Sequence, residues 1–221
     1  MQVTFLYTKI GDELPQRVYL EALNRLPLHE KERNIKYRRW QDRQANILGK
    51  LLLHFGLKQQ SLKISLNDIE YSEYKKPYLR NGPFFNISHS GNYVGCAISN
   101  EEIGVDIEQI LDMDFGAFQK VFTPREWEYI NQSKKDMMKP RFYQVWTRKE
   151  SVIKANGKGM YIDLKDFDVL ENRLSLYSER YLWSEVDIAP DYSCNITIKG
   201  TEVPLINSFY IEMDTLIRQQ F

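Results

Sequence analysis

Residues 103–108 read Ile-Gly-Val-Asp-Ile-Glu, and this stretch decides how the chain is organised. Apolar residues alternate with Gly104, Asp106 and Glu108, which predicts a strand with both carboxylates on one face. At about 3.3 Å per residue their Cα atoms lie ~7 Å apart, so both side chains can reach one divalent cation. The alternative is a solvated strand face, which an Asp-x-Glu pattern favours when it stands alone. The small Gly104 beside the carboxylates indicates room for a ligand.

The residues before this strand predict a strand, helices and then more strands. Residues 3–7 form the first strand, and residues 11–26 form a loop that leads into a weak helix. A long helical pattern starts near His29 and stops at Gly56, which is typical of a helix end. Turn residues then separate four short strands, which we expect at residues 69–71, 77–79, 84–87 and 93–99.

The residues after it repeat this order of elements. Thr123 to Glu126 form a capping box with proline at the first helical position, which starts a helix that runs to about residue 131. A second helix runs from near Pro140 to Ala155. Strands are expected at residues 167–170, 192–198 and 209–213. We therefore predict an α+β fold, a pseudo-twofold pair of similar α+β halves at residues 1–102 and 103–221, with the active site in the cleft between them.

Charge and cysteine content exclude several classes of protein. The 221 residues include 30 Lys and Arg against 30 Asp and Glu, so the basic excess expected for bulk nucleic-acid binding is missing. Two cysteines without a metal-ligand spacing argue against a disulfide framework or a zinc site. No apolar run approaches a membrane span, and the first residues do not resemble a signal peptide. We expect a cytoplasmic protein that binds neither membrane nor nucleic acid.

The charges nevertheless form blocks along the chain. Residues 29–43 carry six basic against three acidic side chains, residues 81–119 carry six acids without Lys or Arg, and residues 139–160 carry six basic side chains against Glu150. This pattern suits a ligand with several phosphates and a divalent cation, although alternating solvated faces would also produce it. Glu150 and Lys154 lie one turn apart at the edge of an apolar helix face. They form either a surface pair worth ~0.3–0.5 kcal/mol or a metal ligand and a phosphate-binding ammonium.

Residues 85–92 combine two serines, a histidine and a glycine turn between strands. Turns of this composition expose backbone N–H groups that bind anions, and His89 can add a donor. A hairpin turn with a satisfied loop histidine is the other interpretation. The sequence shows no nucleophile elbow and no glycine-rich nucleotide motif. Phosphates would therefore be bound without a standard nucleotide fold.

These motifs, with Lys76-Pro77 before them and Thr123-Pro124 between them, resemble in type and order the 4'-phosphopantetheinyl transferases of the surfactin type. The resemblance spans roughly residues 28–160. It implies two α+β halves with coenzyme A in the cleft. It also implies transfer of phosphopantetheine to a serine of an apo acyl or peptidyl carrier protein, with release of adenosine 3',5'-bisphosphate. We expect a monomer that uses Mg²⁺, with Mn²⁺ as a possible substitute.

The resemblance also assigns roles to individual residues. Asp106, Glu108 and Glu150 would hold the metal, and Glu150 is also the candidate to take the serine proton. The remaining assignments are Lys154 to the phosphates, Ser88 and His89 to the coenzyme, Lys76 and Pro77 to the adenine, and Lys31, Arg33 and Asn46 to the 3'-phosphate. The chain departs from the family at Asn46, where a short hydroxyl residue is expected, and, if the run 30–33 is slipped by one residue, at Glu30, where a lysine is expected.

Two other classes and one surface stay open from the sequence. A coenzyme A or carrier-protein binding module without catalysis would not need the carboxylate set, and an unrelated Mg²⁺-dependent phosphohydrolase would not need the Ser88-His89 turn. An aromatic stretch at residues 113–122 is either core or a docking surface for the carrier. Phe115 and Phe118 are the candidate anchors for the carrier.

Overall fold

The computed structural model describes residues 1–132 and 135–218. In the first half, the chain forms β1 (Gln2–Lys9), α1 (Gln16–Asn24), α2 (Leu28–Asn34), α3 (Trp40–Gln59), β2 (Ile69–Tyr71), β3 (Pro77–Leu79), β4 (Phe84–Ser90) and β5 (Tyr93–Ser99). The second half forms β6 (Ile103–Gln109), α4 (Pro124–Asn131), α5 (Lys135–Asn156), β7 (Arg173–Leu176), β8 (Glu179–Glu185), β9 (Tyr192–Lys199), β10 (Leu205–Tyr210) and α6 (Met213–Arg218). The predicted α+β class with two similar halves is confirmed.

Two four-stranded sheets form the framework, with strand orders β10-β1-β5-β4 and β6-β9-β8-β7. Neighbouring strands are antiparallel except for β10, which pairs parallel to β1. The chain therefore returns at its end to the first sheet, where Leu216 of α6 joins the first core. The division at residue 102 stays a prediction. Across residues 1–132 and 135–218, no helix combines the length and apolar character that crossing a membrane requires.

The single helix predicted from near His29 to Gly56 was wrong at both ends. The segment from His29 forms two helices, because the buried amide of Asn34 donates to Arg43 O and to Asn46 Oδ1, both at 2.8 Å, and folds α2 against α3. Gly56 does not end α3. A Cβ there would lie 2.4 Å from Ile98 Cδ1, so this glycine lets the helix approach the sheet and α3 continues to Gln59.

The strands expected in the last third were partly wrong. Residues 167–170 form no strand, although Phe167 and Val169 are buried. Their backbone groups bond to side chains instead: Lys149 Nζ donates to Phe167 O at 2.5 Å, and Val169 N donates to Glu126 Oε1 at 2.9 Å. The expectation missed β7 and β8, and Met213 begins α6 instead of ending a strand.

Candidate functional site

Gly104 positions the second long helix. A Cβ at this position would lie 2.1 Å from Ser151 O and 2.3 Å from Ala155 N, so the backbone of α5 lies directly on β6. The expectation that Gly104 leaves room for a ligand was wrong, because the helix fills that space. The close approach has a functional consequence: it brings Glu150 and Lys154 of α5 to the carboxylates of β6.

Asp106 is the centre of the group that results. This residue is 3% exposed, and its Oδ1 accepts hydrogen bonds from Lys154 Nζ at 2.6 Å and from Ser88 Oγ at 3.3 Å. Burial raises the pKa of Asp106, and the ammonium of Lys154 opposes this shift. Oδ2 is buried and has no hydrogen-bond partner within residues 1–132 and 135–218. Asp106 therefore keeps one oxygen available for another positively charged group.

Glu108 and Glu150 share the field of Asp106. Burial raises the pKa of both carboxyls, and the negative charge of Asp106 adds to each shift. The hydrogen bond that Ser90 Oγ donates to Glu108 Oε2 at 2.8 Å opposes the shift at Glu108, and the ammonium of Lys154 opposes the shift of both carboxyls. Three acidic side chains beside one ammonium leave the group short of positive charge.

The carboxylates do not form a finished metal site on their own. Within the described ranges, no group of three or more His, Cys, Asp or Glu side chains could hold a metal ion without help. The chemistry of the donors still fits Mg²⁺, which usually takes one or two protein carboxylates and completes its shell with water and substrate phosphates. The free Asp106 Oδ2 is consistent with this mode.

A cleft of about 540 Å³ opens beside these residues. Both halves line it, with Lys76, Pro77 and Asn86 from the first and Glu150 and Lys154 from the second. Of the predicted site residues, the structure thus places Lys76, Pro77, Glu150 and Lys154 in this cleft.

The side chain of Lys76 forms part of the cleft wall. Its ammonium donates to Ile103 O at 3.2 Å and to Ala155 O at 2.8 Å, and burial lowers the pKa of Lys76 to about 8. It therefore links the segment before β3 to the end of α5, where it also meets the negative end of the helix dipole.

The other predicted coenzyme contacts occupy different positions. Ser88 is buried in the group around Asp106, whereas His89 is exposed, with its Nε2 3.7 Å from Oδ1 of Asp42 in α3. Lys31, Arg33 and Asn46 do not line the 540 Å³ cleft. The guanidinium of Arg33 stacks over the ring of Tyr71 at 4.9 Å.

Glu30 stabilises the packing of α2. It is fully buried, pairs with Lys50 at 3.2 Å and accepts a hydrogen bond from the Tyr71 hydroxyl. This carboxylate therefore helps to hold α2 and Tyr71, on which Arg33 rests.

The sequence interpretation missed Lys149. This side chain is fully buried, pairs with Glu126 at 2.8 Å and donates to Leu164 O at 2.6 Å. It ties α5 to Leu164 of the cleft wall, next to Glu150 in the chain. A signal was present, because Lys149 falls at helical spacing between Val145 and Val152 on the apolar face.

Comparisons with known proteins find two family models that together match residues 15–198. The family model described as 4'-phosphopantetheinyl transferase superfamily matches residues 102–198. The model described as 4'-phosphopantetheinyl transferase, N-terminal, matches residues 15–101. The N-terminal match ends at residue 101 and the other begins at residue 102.

Curated relatives agree. The chain is 32% identical to the 4'-phosphopantetheinyl transferase gsp of Aneurinibacillus migulanus over 77% of this chain and 73% of that protein. It is 34% identical to the 4'-phosphopantetheinyl transferase Sfp of Bacillus subtilis over 62% of this chain and 64% of that one. A third relative is the human L-aminoadipate-semialdehyde dehydrogenase-phosphopantetheinyl transferase, 32% identical over 72% of this chain and 58% of that protein.

The chain belongs to the 4'-phosphopantetheinyl transferase family, and it is an enzyme of that type. Enzymes of this family use coenzyme A as substrate and act on carrier proteins. The resemblance read from the motifs is thereby confirmed.

Proposed function

We propose that this enzyme moves 4'-phosphopantetheine from coenzyme A to a serine hydroxyl of an apo acyl or peptidyl carrier protein, with Mg²⁺, and releases adenosine 3',5'-bisphosphate. The observation that carries the proposal is the group of Asp106, Glu150 and Lys154 at a cleft lined by both halves. A pyrophosphate must have its charge neutralised before a neutral hydroxyl can attack it. This group offers both a place for a cation and an ammonium.

Asp106, Glu108 and Glu150 would hold the metal. The bound metal would supply positive charge to the pyrophosphate oxygens, and Mn²⁺ has the same preference for oxygen ligands. Burial raises the pKa of all three carboxyls and so disfavours their charged forms. A bound cation would stabilise those charged forms, which supports this assignment.

Two residues of α5 would act on the reacting groups. Lys154 holds Asp106 Oδ1 at 2.6 Å, and its ammonium lies at the cleft, where it can also contact a phosphate of the substrate. Glu150 would accept the proton of the carrier serine, and the raised pKa of its carboxyl makes it a stronger base than a solvated glutamate.

The coenzyme would lie along the seam between the halves. Pro77 and the backbone of Lys76 would flank the adenine, since the Lys76 ammonium is already used by two carbonyls. Ser88 and His89 would lie near the coenzyme phosphates. Lys31, Arg33 and Asn46 would bind the 3'-phosphate at the far end.

The basic segment can be tested with two substrates that differ only in that phosphate. Replacing Lys31 or Arg33 with alanine is expected to raise the KM for coenzyme A about tenfold, the worth of one hydrogen bond to a charged group. The KM for 3'-dephospho-coenzyme A should change far less. An equal rise for both substrates would assign the segment to the fold or to carrier docking.

The proposed reaction is tested by weighing the carrier. Incubation with coenzyme A, Mg²⁺ and an apo carrier protein should add the mass of one phosphopantetheine to the carrier, and chelation of the metal should stop the reaction. Alanine at Asp106, Glu108 or Glu150 should each abolish transfer with an unchanged melting curve. Binding of coenzyme A without a mass change would favour a binding module, and release of phosphate without carrier modification would favour a phosphohydrolase.

We further propose that the enzyme works as a monomer in the cytoplasm and binds neither nucleic acid nor membrane. Equal numbers of basic and acidic residues support the absence of a nucleic-acid partner. Sedimentation of the parental protein, alone and with carrier, measures the oligomeric state.

A further inference from the structure

A row of polar side chains on β4 joins the two sheets. Every second residue of the strand, at positions 86, 88 and 90, points a side-chain oxygen at β6 and accepts a backbone N–H there. The three hydrogen bonds are Val105 N to Asn86 Oδ1 at 2.9 Å, Ile107 N to Ser88 Oγ at 3.2 Å and Gln109 N to Ser90 Oγ at 3.1 Å. Side chains thus replace the backbone ladder between these strands and set the register of β6 against β4.

The two serines also bind the carboxylates of β6. Each Oγ accepts a backbone N–H from one residue of β6 and donates its own proton to the carboxylate of the residue before it. Ser88 Oγ donates to Asp106 Oδ1 at 3.3 Å, and Ser90 Oγ donates to Glu108 Oε2 at 2.8 Å. A hydroxyl has one proton and two lone pairs, so one atom can fix both the strand and the orientation of its carboxylate.

The two hydroxyls differ in what else they contact. Ser88 Oγ also accepts from Lys154 Nζ at 3.0 Å, so its hydrogen-bonding capacity is complete and it belongs to the group around Asp106. Ser90 Oγ donates to the Glu108 carboxylate and accepts from the Gln109 backbone N–H. Glu108 is less buried than Asp106 and has three rotatable side-chain bonds, so a hydrogen bond to Oε2 restricts it more.

We propose that Ser90 is a positioning residue for Glu108: it holds this carboxylate in the orientation that receives a divalent cation. The inference rests on the proposed function, because it takes Glu108 to be a metal ligand. Hydrogen-bond partners behind a ligand set its orientation, and their loss typically weakens metal binding by roughly 10–100-fold.

The test measures Mn²⁺ affinity of the protein by electron paramagnetic resonance, without a carrier and without turnover. Ser90→Ala should weaken Mn²⁺ binding about tenfold and speed amide exchange at Gln109, while Ser90→Thr, which keeps the hydroxyl, should restore most of both. Ser193→Ala is the matched control. Ser193 is buried and pairs with Glu108 across β6 and β9, but its hydroxyl contacts Thr147 at 2.9 Å.

The outcomes separate the inference from the proposed function. Parental Mn²⁺ affinity in Ser90→Ala would overturn the inference, and so would an equal loss in Ser193→Ala. Carrier modification by the parental protein is assayed on the same preparation. If the parent transfers phosphopantetheine but Ser90→Ala binds Mn²⁺ normally, only the inference fails. If the parent transfers nothing while Ser90→Ala loses Mn²⁺, the inference stands and the proposed reaction fails.

Discussion

The two halves each contain a buried glutamate–lysine pair that joins a short helix to the long helix after it. In the first half, Glu30 is the third residue of α2 and pairs with Lys50 of α3 at 3.2 Å. In the second half, Glu126 is the third residue of α4 and pairs with Lys149 of α5 at 2.8 Å. The same device therefore holds both long helices, as a pseudo-twofold fold predicts.

The halves differ in the residue after the buried lysine. In the first half this residue is Leu51, which is 1% exposed and belongs to the first core. In the second half it is Glu150, which lines the cleft. The comparison teaches that the two halves share the pair, whereas the position after the lysine serves packing in the first half and lies at the cleft in the second. This is the position at which we propose that Glu150 acts.

The two pairs also differ in how well they are satisfied. Lys149 donates to two backbone carbonyls besides Glu126, and both oxygens of Glu126 accept backbone N–H groups. In the first half, Glu30 Oε2 is buried and finds no hydrogen-bond partner in the part of the chain that the structure describes. The second pair therefore fixes its surroundings more firmly, and these include the cleft wall.

The largest expected effect concerns the residue after the buried lysine, which is Glu150 in the second half and Leu51 in the first. Glu150→Gln should lower turnover about 10²–10⁴-fold, the usual contribution of a general base. It should not lower stability, because burial already raises the pKa of this carboxyl and so penalises its charged form. Leu51→Ala should instead cost about 2–5 kcal/mol in the free energy of unfolding and leave the turnover of folded protein intact.

Steady-state carrier modification and urea denaturation measure both quantities for both variants. Parental turnover in Glu150→Gln, or lost turnover in folded Leu51→Ala, would contradict the assignment of chemistry to one position and packing to the other.

The second prediction compares the lysines themselves. Lys149→Met should destabilise the protein by about 3–5 kcal/mol, since it leaves a buried carboxylate and two carbonyls without their cation. Lys50→Met should lower the free energy of unfolding by less, because fewer acceptors lose their donor when Lys50 is replaced. Urea midpoints of the two variants decide the order. The double variant Glu126→Gln with Lys149→Met should lose less than the sum of its single changes, and strict additivity would show that the pair does not interact.

The same pair shows why part of the structure could be predicted from the sequence and part could not. The strand at residues 103–108 and the helix that begins at Pro124 depend on local patterns, and the structure contains both. The error at residues 167–170 has a distant cause. Alternation of apolar residues is typical of a strand, but the backbone there bonds to side chains of Glu126 and Lys149.

The candidate site follows the same division. Spacing along β6 and α5 indicated the acids and Lys154, whereas the role of Gly104 in helix packing depends on contacts with Ser151 and Ala155, which are distant in the sequence. The ladder from β4 to β6 depends on how the two sheets meet, which no local pattern encodes.

The third prediction concerns the seam between the halves, where Lys76 binds two carbonyls of the second half. Its folded-state pKa of about 8 lies below the 10.5 of an unperturbed lysine. Between these values the unfolded chain binds more protons, so the contribution of Lys76 to stability rises with pH in this window, by up to about 1.4 kcal/mol per pH unit.

Lys76→Met lacks this contribution. The difference in unfolding free energy between parent and variant should therefore increase in favour of the parent from about pH 8 upward. Denaturation at several pH values measures it, and a difference that is flat across the window would mean that Lys76 titrates normally.

The smallest expected effect concerns the carrier protein, which we place on the second half. Phe115 and Phe118 are partly buried against Phe142, at ring distances of 4.7 and 5.7 Å, whereas Leu111 just before them is 55% exposed. An aromatic residue that is partly packed and partly open suits a transient interface with few anchors. Phe115→Ala or Phe118→Ala should raise the carrier KM about fivefold, a cost of roughly 1 kcal/mol, and leave the KM for coenzyme A unchanged. Ile35 is the control from the first half, since it directly follows α2 and is 61% exposed. Ile35→Ala should leave both KM values unchanged. A parental carrier KM in both phenylalanine variants, or a loss explained by a lower melting temperature, would assign this stretch to the core.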